Sequence, residues 1–274
     1  MYESYWNLKR RPFEDQADAE LYYRGQSHQS ALLKLRYIVE SGKGAGVLVG
    51  GCGVGKSLAC DILQQELPER YQPCVRMIFP QMTPVEFLTD LTIRLGADED
   101  FVLRAESSLD RVVRLLERQL QLLSERERHP IIVIDEAHLI EDRTLFNTLL
   151  SLLNVRTARN LEFSLFLVGD PVLLAQLQRS SQLDERFSIR SLIQPLTEEE
   201  TAGYIQHRMT AAGASQNIFE PSALASLFAL SGGIARRINR LCDLALLVGY
   251  ADGLRSLAAD EVESVATELS GIAA

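Results

Sequence analysis

The sequence predicts an α/β protein: a three-layer αβα core on a five-stranded parallel sheet, followed by a small all-α lid domain. Three observations carry that prediction. Short apolar runs such as Val47-Leu48-Val49 and Ile131-Ile132-Val133-Ile134 alternate with longer stretches of helical period, as strands buried in a parallel sheet require. A glycine-rich octapeptide, Gly50-Gly51-Cys52-Gly53-Val54-Gly55-Lys56-Ser57, stands between one such run and a helix. After Thr197 only helical patterns remain.

The elements follow in order. The opening Tyr5-Trp6-Asn7-Leu8-Lys9-Arg10-Arg11-Pro12-Phe13 is aromatic and turn-rich, and is expected to wrap onto the first domain near its ligand. A helix is predicted over 26–39, with Ala31, Leu32, Leu35, Ile38 and Val39 on one face and Ser41-Gly42-Lys43-Gly44 ending it. The run 47–49 is the first strand, and Leu58, Ile62 and Leu63 recur at helical spacing after the octapeptide up to Pro68. The second strand covers 74–79 and is stopped by Pro80. Thr83 can cap a helix over 84–95, with Pro84 at its first position, Glu86 close behind and Gly96 at its end. Over 108–124 the residues Leu109, Val112, Val113, Leu116, Leu120 and Leu123 share a stripe. The third strand runs from Ile131 into Asp135-Glu136, and a helix over about 143–153 follows. The fourth, 164–168, ends in Gly169-Asp170-Pro171; the fifth, 188–193, is closed by Pro195. Thr197-Glu198-Glu199-Glu200 is a capping box with acids in the first turn, and helices are expected at 198–212, 221–230, 234–248 and 260–270. The domains are therefore set at 1–195, including an aromatic wrap over 1–25, and 196–274.

At 46% hydrophobic and 24% charged, the 274 residues have the balance of a soluble globular chain. The net charge of −9 argues against a large nucleic-acid surface, although one basic face can sit inside an acidic total. Cys52, Cys60, Cys74 and Cys242 stand far apart, with no C-x-x-C pair, and read as reduced thiols of a cytoplasmic protein. The first residues lack the basic and apolar regions of a signal peptide, and no run reaches the length of a membrane span.

The octapeptide matches G-x-x-x-x-G-K-[ST], a phosphate-binding loop for nucleoside triphosphates. Its glycines let backbone N–H groups turn inward around phosphates. Lys56 can reach the β- and γ-phosphates, and the Ser57 hydroxyl can ligate Mg²⁺. The candidate nucleotide-binding residues are Gly51, Cys52, Gly53, Val54, Gly55, Lys56, Ser57 and Leu58. Asp135 is the second candidate metal ligand, acting through water beside Ser57, and Glu136 is the candidate that polarises the attacking water. The run Asp-Glu-Ala-His also occurs in helicases with two such cores; here His138 is either a polar neighbour of the site or an ordinary structural histidine. Asp170 serves either the turn before Pro171 or phosphate sensing. Arg186 and Arg190 can project into a neighbouring subunit's nucleotide as an arginine finger, or form surface salt bridges with Asp184 or Glu185. Arg236 and Arg237 oppose the dipole of the helix they begin. Contact with the γ-phosphate, by Arg236 first and Arg237 second, would explain them; a basic face meeting acids elsewhere is the alternative.

This combination of phosphate loop, Asp135-Glu136, arginines before the last strand and a helical tail with Gly232-Gly233-Ile234-Ala235-Arg236-Arg237 resembles an AAA+ ATPase. Within that group, Tyr5-Trp6-Asn7-Leu8 with Pro12-Phe13, Tyr22-Tyr23, Asp135-Glu136-Ala137-His138-Leu139, Pro195-Leu196-Thr197-Glu198-Glu199-Glu200-Thr201 and Ser231 to Asn239 resemble the ExeA-like, general secretion pathway protein A family over nearly the whole chain. The resemblance implies ATP and Mg²⁺ as cofactors, ATP hydrolysis, catalytic roles for Glu136, Lys56, Arg186 and Arg236, and a homo-oligomeric ring or filament acting on a protein partner. In secretion members it implies help in assembling an outer-membrane secretin. Related ATPases of the TnsC/TniB and MuB kind form filaments on DNA and regulate transposition, which makes DNA a second expected partner. Secretion members typically carry a transmembrane helix and a periplasmic part after the ATPase, and neither is present up to Ala274. Asp170 replaces an uncharged polar residue, and Gly233-Ile234-Ala235 a proline-containing form.

Overall fold

The computed structural model describes residues 1–14, 18–78, 82–103 and 108–271. Its five strands, β1 (Ala45–Gly50), β2 (Cys74–Met77), β3 (Ile131–Ile134), β4 (Ser164–Gly169) and β5 (Arg190–Ile193), form one parallel sheet in the order β2-β3-β4-β1-β5. Val49 pairs with Gly169 and Ile134 with Leu167, so β1, β4 and β3 end along one edge with β4 in the middle. The three inner strands are buried at every position, which is why their sequences show no polar alternation. The expected last residue of the second strand, Phe79, and its stop, Pro80, lie outside the described residues.

Parallel strands need crossovers, and helices supply them. α1 (Gln26–Glu40) precedes β1, and α2 (Lys56–Glu66) leaves the loop after it. α3 (Pro84–Arg94), α4 (Glu99–Leu103) and α5 (Leu109–Glu125) connect β2 to β3, while α6 (Arg143–Arg159) connects β3 to β4. α7 (Val172–Gln178) and α8 (Ser181–Arg186) lead to β5. On one face Val47, Val75, Ile132 and Leu165 pack with Phe87, Leu116 and Leu149 from α3, α5 and α6. On the other, α1 crosses Gly46 so closely that a Cβ there would lie 2.2 Å from Ile38 Cδ1. Thr83 and Glu86 form the full capping box of α3.

The chain divides into two compact units. The sheet unit comprises Ser30–Gly51 and Lys56–Ile193; the other comprises Met1–Gln29, Cys52–Gly55 and Gln194–Ala274. The second is helical: α9 (Glu198–Ala211), α10 (Pro221–Ser231), α11 (Ala235–Ala251) and α12 (Ala259–Gly271) close on Ile205, Leu227, Ile238, Leu246 and Val262. The aromatic opening segment, expected with the first domain, belongs instead to this helical core. Tyr2, Trp6, Leu8 and Phe13 are buried in it. Trp6 Nε1 donates to Leu246 O at 2.9 Å, and Lys9 N–H to Ala212 O at 2.8 Å. A helical unit this small buries a limited share of its apolar surface by itself, and the aromatic side chains add cover. No helix among the described residues is long and apolar enough to cross a membrane.

Candidate nucleotide-binding site

In the sheet unit, β1 ends at Gly50 and α2 opens at Lys56, so the helix presents its unpaired N–H groups and positive dipole end where the loop returns. Lys56 is buried; its Nζ donates to Gly50 O at 2.9 Å and Gly51 O at 3.0 Å. Ser57 Oγ donates to Asp135 Oδ2 at 2.8 Å, which joins the helix that follows β1 to the residue after β3, across the intervening β4. Asp135 is 3% exposed, and its Oδ1 accepts the Glu136 N–H at 2.9 Å. A hydroxyl and a carboxylate are the hard oxygen donors that Mg²⁺ prefers, and it needs few from the protein when phosphates and waters complete its shell. These residues fit that ion. Leu58 continues α2, half-buried.

Glu136 adopts φ 52°, ψ 34°, a left-handed conformation that costs a residue other than glycine on the order of 1–2 kcal/mol. Asp135 stays buried while the Glu136 side chain is 43% exposed. Glu136 Oε2 lies 3.4 Å from His138 Nδ1, and the same nitrogen is 3.2 Å from the Asp170 N–H. His138 is thus a polar neighbour of the acid pair, linking it to the end of β4. Asp170 Oδ1 accepts the Val172 N–H at 3.2 Å and closes the turn.

Arg186, at the end of α8, is exposed and held by neutral partners, Asn154 Oδ1 at 2.9 Å and Thr157 Oγ1 at 3.4 Å. The salt bridge to Asp184 belongs to Arg190. Sequence reading missed Arg76. From β2 its Nε and Nη2 both meet Asp135 Oδ2, the former at 3.1 Å, and its Nη1 is 3.1 Å from Asp61 Oδ1. The available signal was an arginine inside a short apolar strand.

The loop's middle residues, Cys52–Gly55, group with the helical unit. Gly53 and Gly55 sit at φ +78° and +100°, where only glycine is comfortable. The Arg236 N–H donates to Gly53 O at 3.1 Å, and Arg236 Nη1 lies 3.6 Å from Cys52 Sγ. Arg236 and Arg237 are both exposed. His28, also missed, is 6% exposed; its Nε2 donates to Val54 O at 2.8 Å, and its ring lies where a Cβ on Gly55 would approach to 3.2 Å. Burial pushes the His28 pKa below its ordinary value, against the opposing pull of the Val54 carbonyl and Glu200.

A protein-family profile described as AAA domain matches residues 39–177, from the end of α1 to α7. The chain belongs to the AAA family. This AAA chain is also 30% identical over 276 residues to General secretion pathway protein A of Aeromonas hydrophila, covering 99% of the chain and 49% of that protein. It therefore spans about half the length of this relative. Among solved structures it is similar to Cdc6p from Pyrobaculum aerophilum, with TM-score 0.72 and 16% identity over 94% of this chain and 70% of that one. The Aeropyrum pernix ORC1 protein in complex with DNA gives 0.68 and 16%, over 96% and 69%. The Thermotoga maritima RuvB Holliday junction branch migration motor gives 0.61 and 17%, over 90% and 72%. At such identities the likeness is of fold alone. The AAA profile spans residues 50–57, Arg76 and the acid pair, but not Arg186 or Arg236.

Proposed function

We propose that this AAA protein is a cytoplasmic ATPase that binds ATP with Mg²⁺, hydrolyses it, and couples turnover to assembly of a homo-oligomeric ring or filament that remodels a protein partner. The contact of Ser57 with Asp135, beside the buried ammonium of Lys56, carries the reading. Lys56 exchanges its two carbonyl partners for the β- and γ-phosphates. Bound Mg²⁺, held by Ser57 and through water by Asp135, would neutralise charge developing on the phosphate oxygens. Glu136 orients and polarises the water that attacks the γ-phosphorus, and ADP leaves. Backbone N–H groups of the loop supply fixed donors to the phosphates. Arg236, already seated on Gly53 and Cys52, is assigned the γ-phosphate. Arg186, exposed and without an acidic partner among the contacts described above, is assigned the arginine finger for a neighbouring subunit's nucleotide. Similarity to General secretion pathway protein A favours a partner in secretion or envelope assembly. Lys56→Ala tests the site: ATP affinity measured by calorimetry is expected to vanish, and unchanged affinity would overturn the assignment.

A second reading is an ATP-dependent DNA-binding regulator of the TnsC/TniB/MuB type. The exposed Arg236, Arg237 and Arg240 on one helix favour it. A DNA-stimulated ATPase rate with steep salt dependence would support it, and no effect of DNA at low salt would remove it.

A further inference from the structure

Asp135 Oδ2 has three donors. Ser57 Oγ is at 2.8 Å, Arg76 Nε at 3.1 Å, and Arg76 Nη2 also meets it. Arg76 divides itself: Nη1 reaches Asp61 Oδ1 at 3.1 Å and Oδ2 at 3.4 Å. The three charged side chains come from three elements, Asp135 after β3, Arg76 in β2 and Asp61 in α2. Register holds the arginine there, because Arg76 pairs with Val133 and the Asp135 N–H donates to Met77 O at 2.8 Å. Asp135 is buried, whereas the Arg76 and Asp61 side chains are 28% and 32% exposed. The arginine can therefore shift toward Asp61 more easily than the aspartate can move away. A metal ion arriving at Ser57 and Asp135 meets a guanidinium already bonded to the same carboxylate oxygen. Like charges a few ångströms apart in a partly buried site repel strongly.

We propose that Arg76 competes with magnesium for Asp135, and that Asp61 is the alternative anchor that takes Arg76 when the metal takes the carboxylate. The inference rests on the nucleotide site proposed above. It gives the buried aspartate a resident counter-charge at all times and makes the metal requirement of nucleotide binding adjustable through a residue that touches neither phosphate nor metal. Two substitutions then act in opposite directions. Arg76→Met removes the competitor, so less Mg²⁺ is needed. Asp61→Asn removes the alternative anchor, leaves Arg76 on Asp135, and raises the Mg²⁺ needed.

The test titrates MgCl₂ into the full chain with a fluorescent ADP analogue and reads the half-saturating concentration, alongside melting temperature in EDTA. Arg76→Met is expected to lower half-saturation roughly tenfold, in keeping with relief of one close like-charge contact, and to melt earlier in EDTA because the buried Asp135 loses its counter-charge. Asp61→Asn is expected to raise half-saturation several-fold with little change in melting. If Arg76→Met does not fold, Asp61→Asn alone decides, with Arg76→Lys as the charge-retaining control. Weaker magnesium binding in Arg76→Met would mean that the arginine orients Asp135 for the metal, and would overturn the proposal; so would unmoved values in both variants or a shift in the same direction. Wild-type chain that binds no nucleotide at any Mg²⁺ concentration would overturn the site reading and this inference with it, whereas normal wild-type binding with unmoved variants overturns the inference alone.

Discussion

Replacing His28 with alanine is expected to loosen the phosphate loop and weaken ATP binding about tenfold. The ring is 6% exposed and its Nε2–H donates to Val54 O at 2.8 Å, beside Gly55 at φ +100°. Truncation leaves the carbonyl of a buried residue without its donor, at about 1–3 kcal/mol. The lost ring also leaves a cavity, and large-to-small changes at buried sites cost about 2–5 kcal/mol in all. Binding is affected through order: a loop residue released from its tether must be fixed again by the ligand, at ~1–2 kcal/mol, and ~1.4 kcal/mol is tenfold in affinity. His28→Gln can place an N–H near the same carbonyl and is expected to recover most of the affinity but only part of the stability. Nucleotide titration by fluorescence and thermal melting of the three proteins make the comparison. Wild-type affinity and melting temperature in His28→Ala would refute the reasoning, since the loop would then be held without the ring.

Trp6→Ala is expected to destabilise the helical unit by about 3–5 kcal/mol in urea melts, because the indole is buried and donates to Leu246 O. An unchanged melt would place the opening segment outside that core. His129, bonded to Ser164 Oγ at 2.9 Å, has its pKa pushed down to about 4, chiefly by burial and against the attraction of Glu162. Unfolded chain takes up this proton near pH 6.5 and folded chain only near pH 4, so the associated stability is complete above that range and is lost as pH falls through it. At ~1.4 kcal/mol per tenfold change in proton affinity, the loss is about 3 kcal/mol; His129→Gln is expected to flatten that slope in melts from pH 7 to pH 4, and an equal slope would contradict it. Mixing Arg186→Ala with Lys56→Ala subunits is expected to restore part of the ATPase activity that each lacks alone, through interfaces that combine an intact loop with an intact arginine. No recovery from mixed oligomers would exclude Arg186 as the finger.

The strands were legible where burial is two-sided. β1, β3 and β4 carry apolar residues on both faces, so composition alone marks them, whereas the edge strand β5 was expected from Ser188 and begins at Arg190. α4, α7 and α8 escaped notice because a helix of five to seven residues cannot display a 3.6-residue period. The candidate phosphate loop and acid pair can be picked out in the sequence because each is a run of contiguous residues. Arg76 and His28 cannot, since their roles come from contacts distant in sequence: strand register brings Arg76 to Asp135, and tertiary packing brings His28 to Val54. The aromatic opening was visible as a segment that must bury itself, but which unit it covers depends on shape complementarity that pattern reading does not contain.

Phosphate release from ATP in the presence of Mg²⁺, compared between wild type and Glu136→Gln with ATP affinity measured on both, tests the central claim most directly. Wild type is expected to turn over, and Glu136→Gln to bind ATP as tightly while releasing phosphate ~10²–10⁴-fold more slowly, the scale of a lost general base. Equal release rates in the two proteins at equal affinity would contradict the claim that Glu136 activates water for attack on a triphosphate held by the loop.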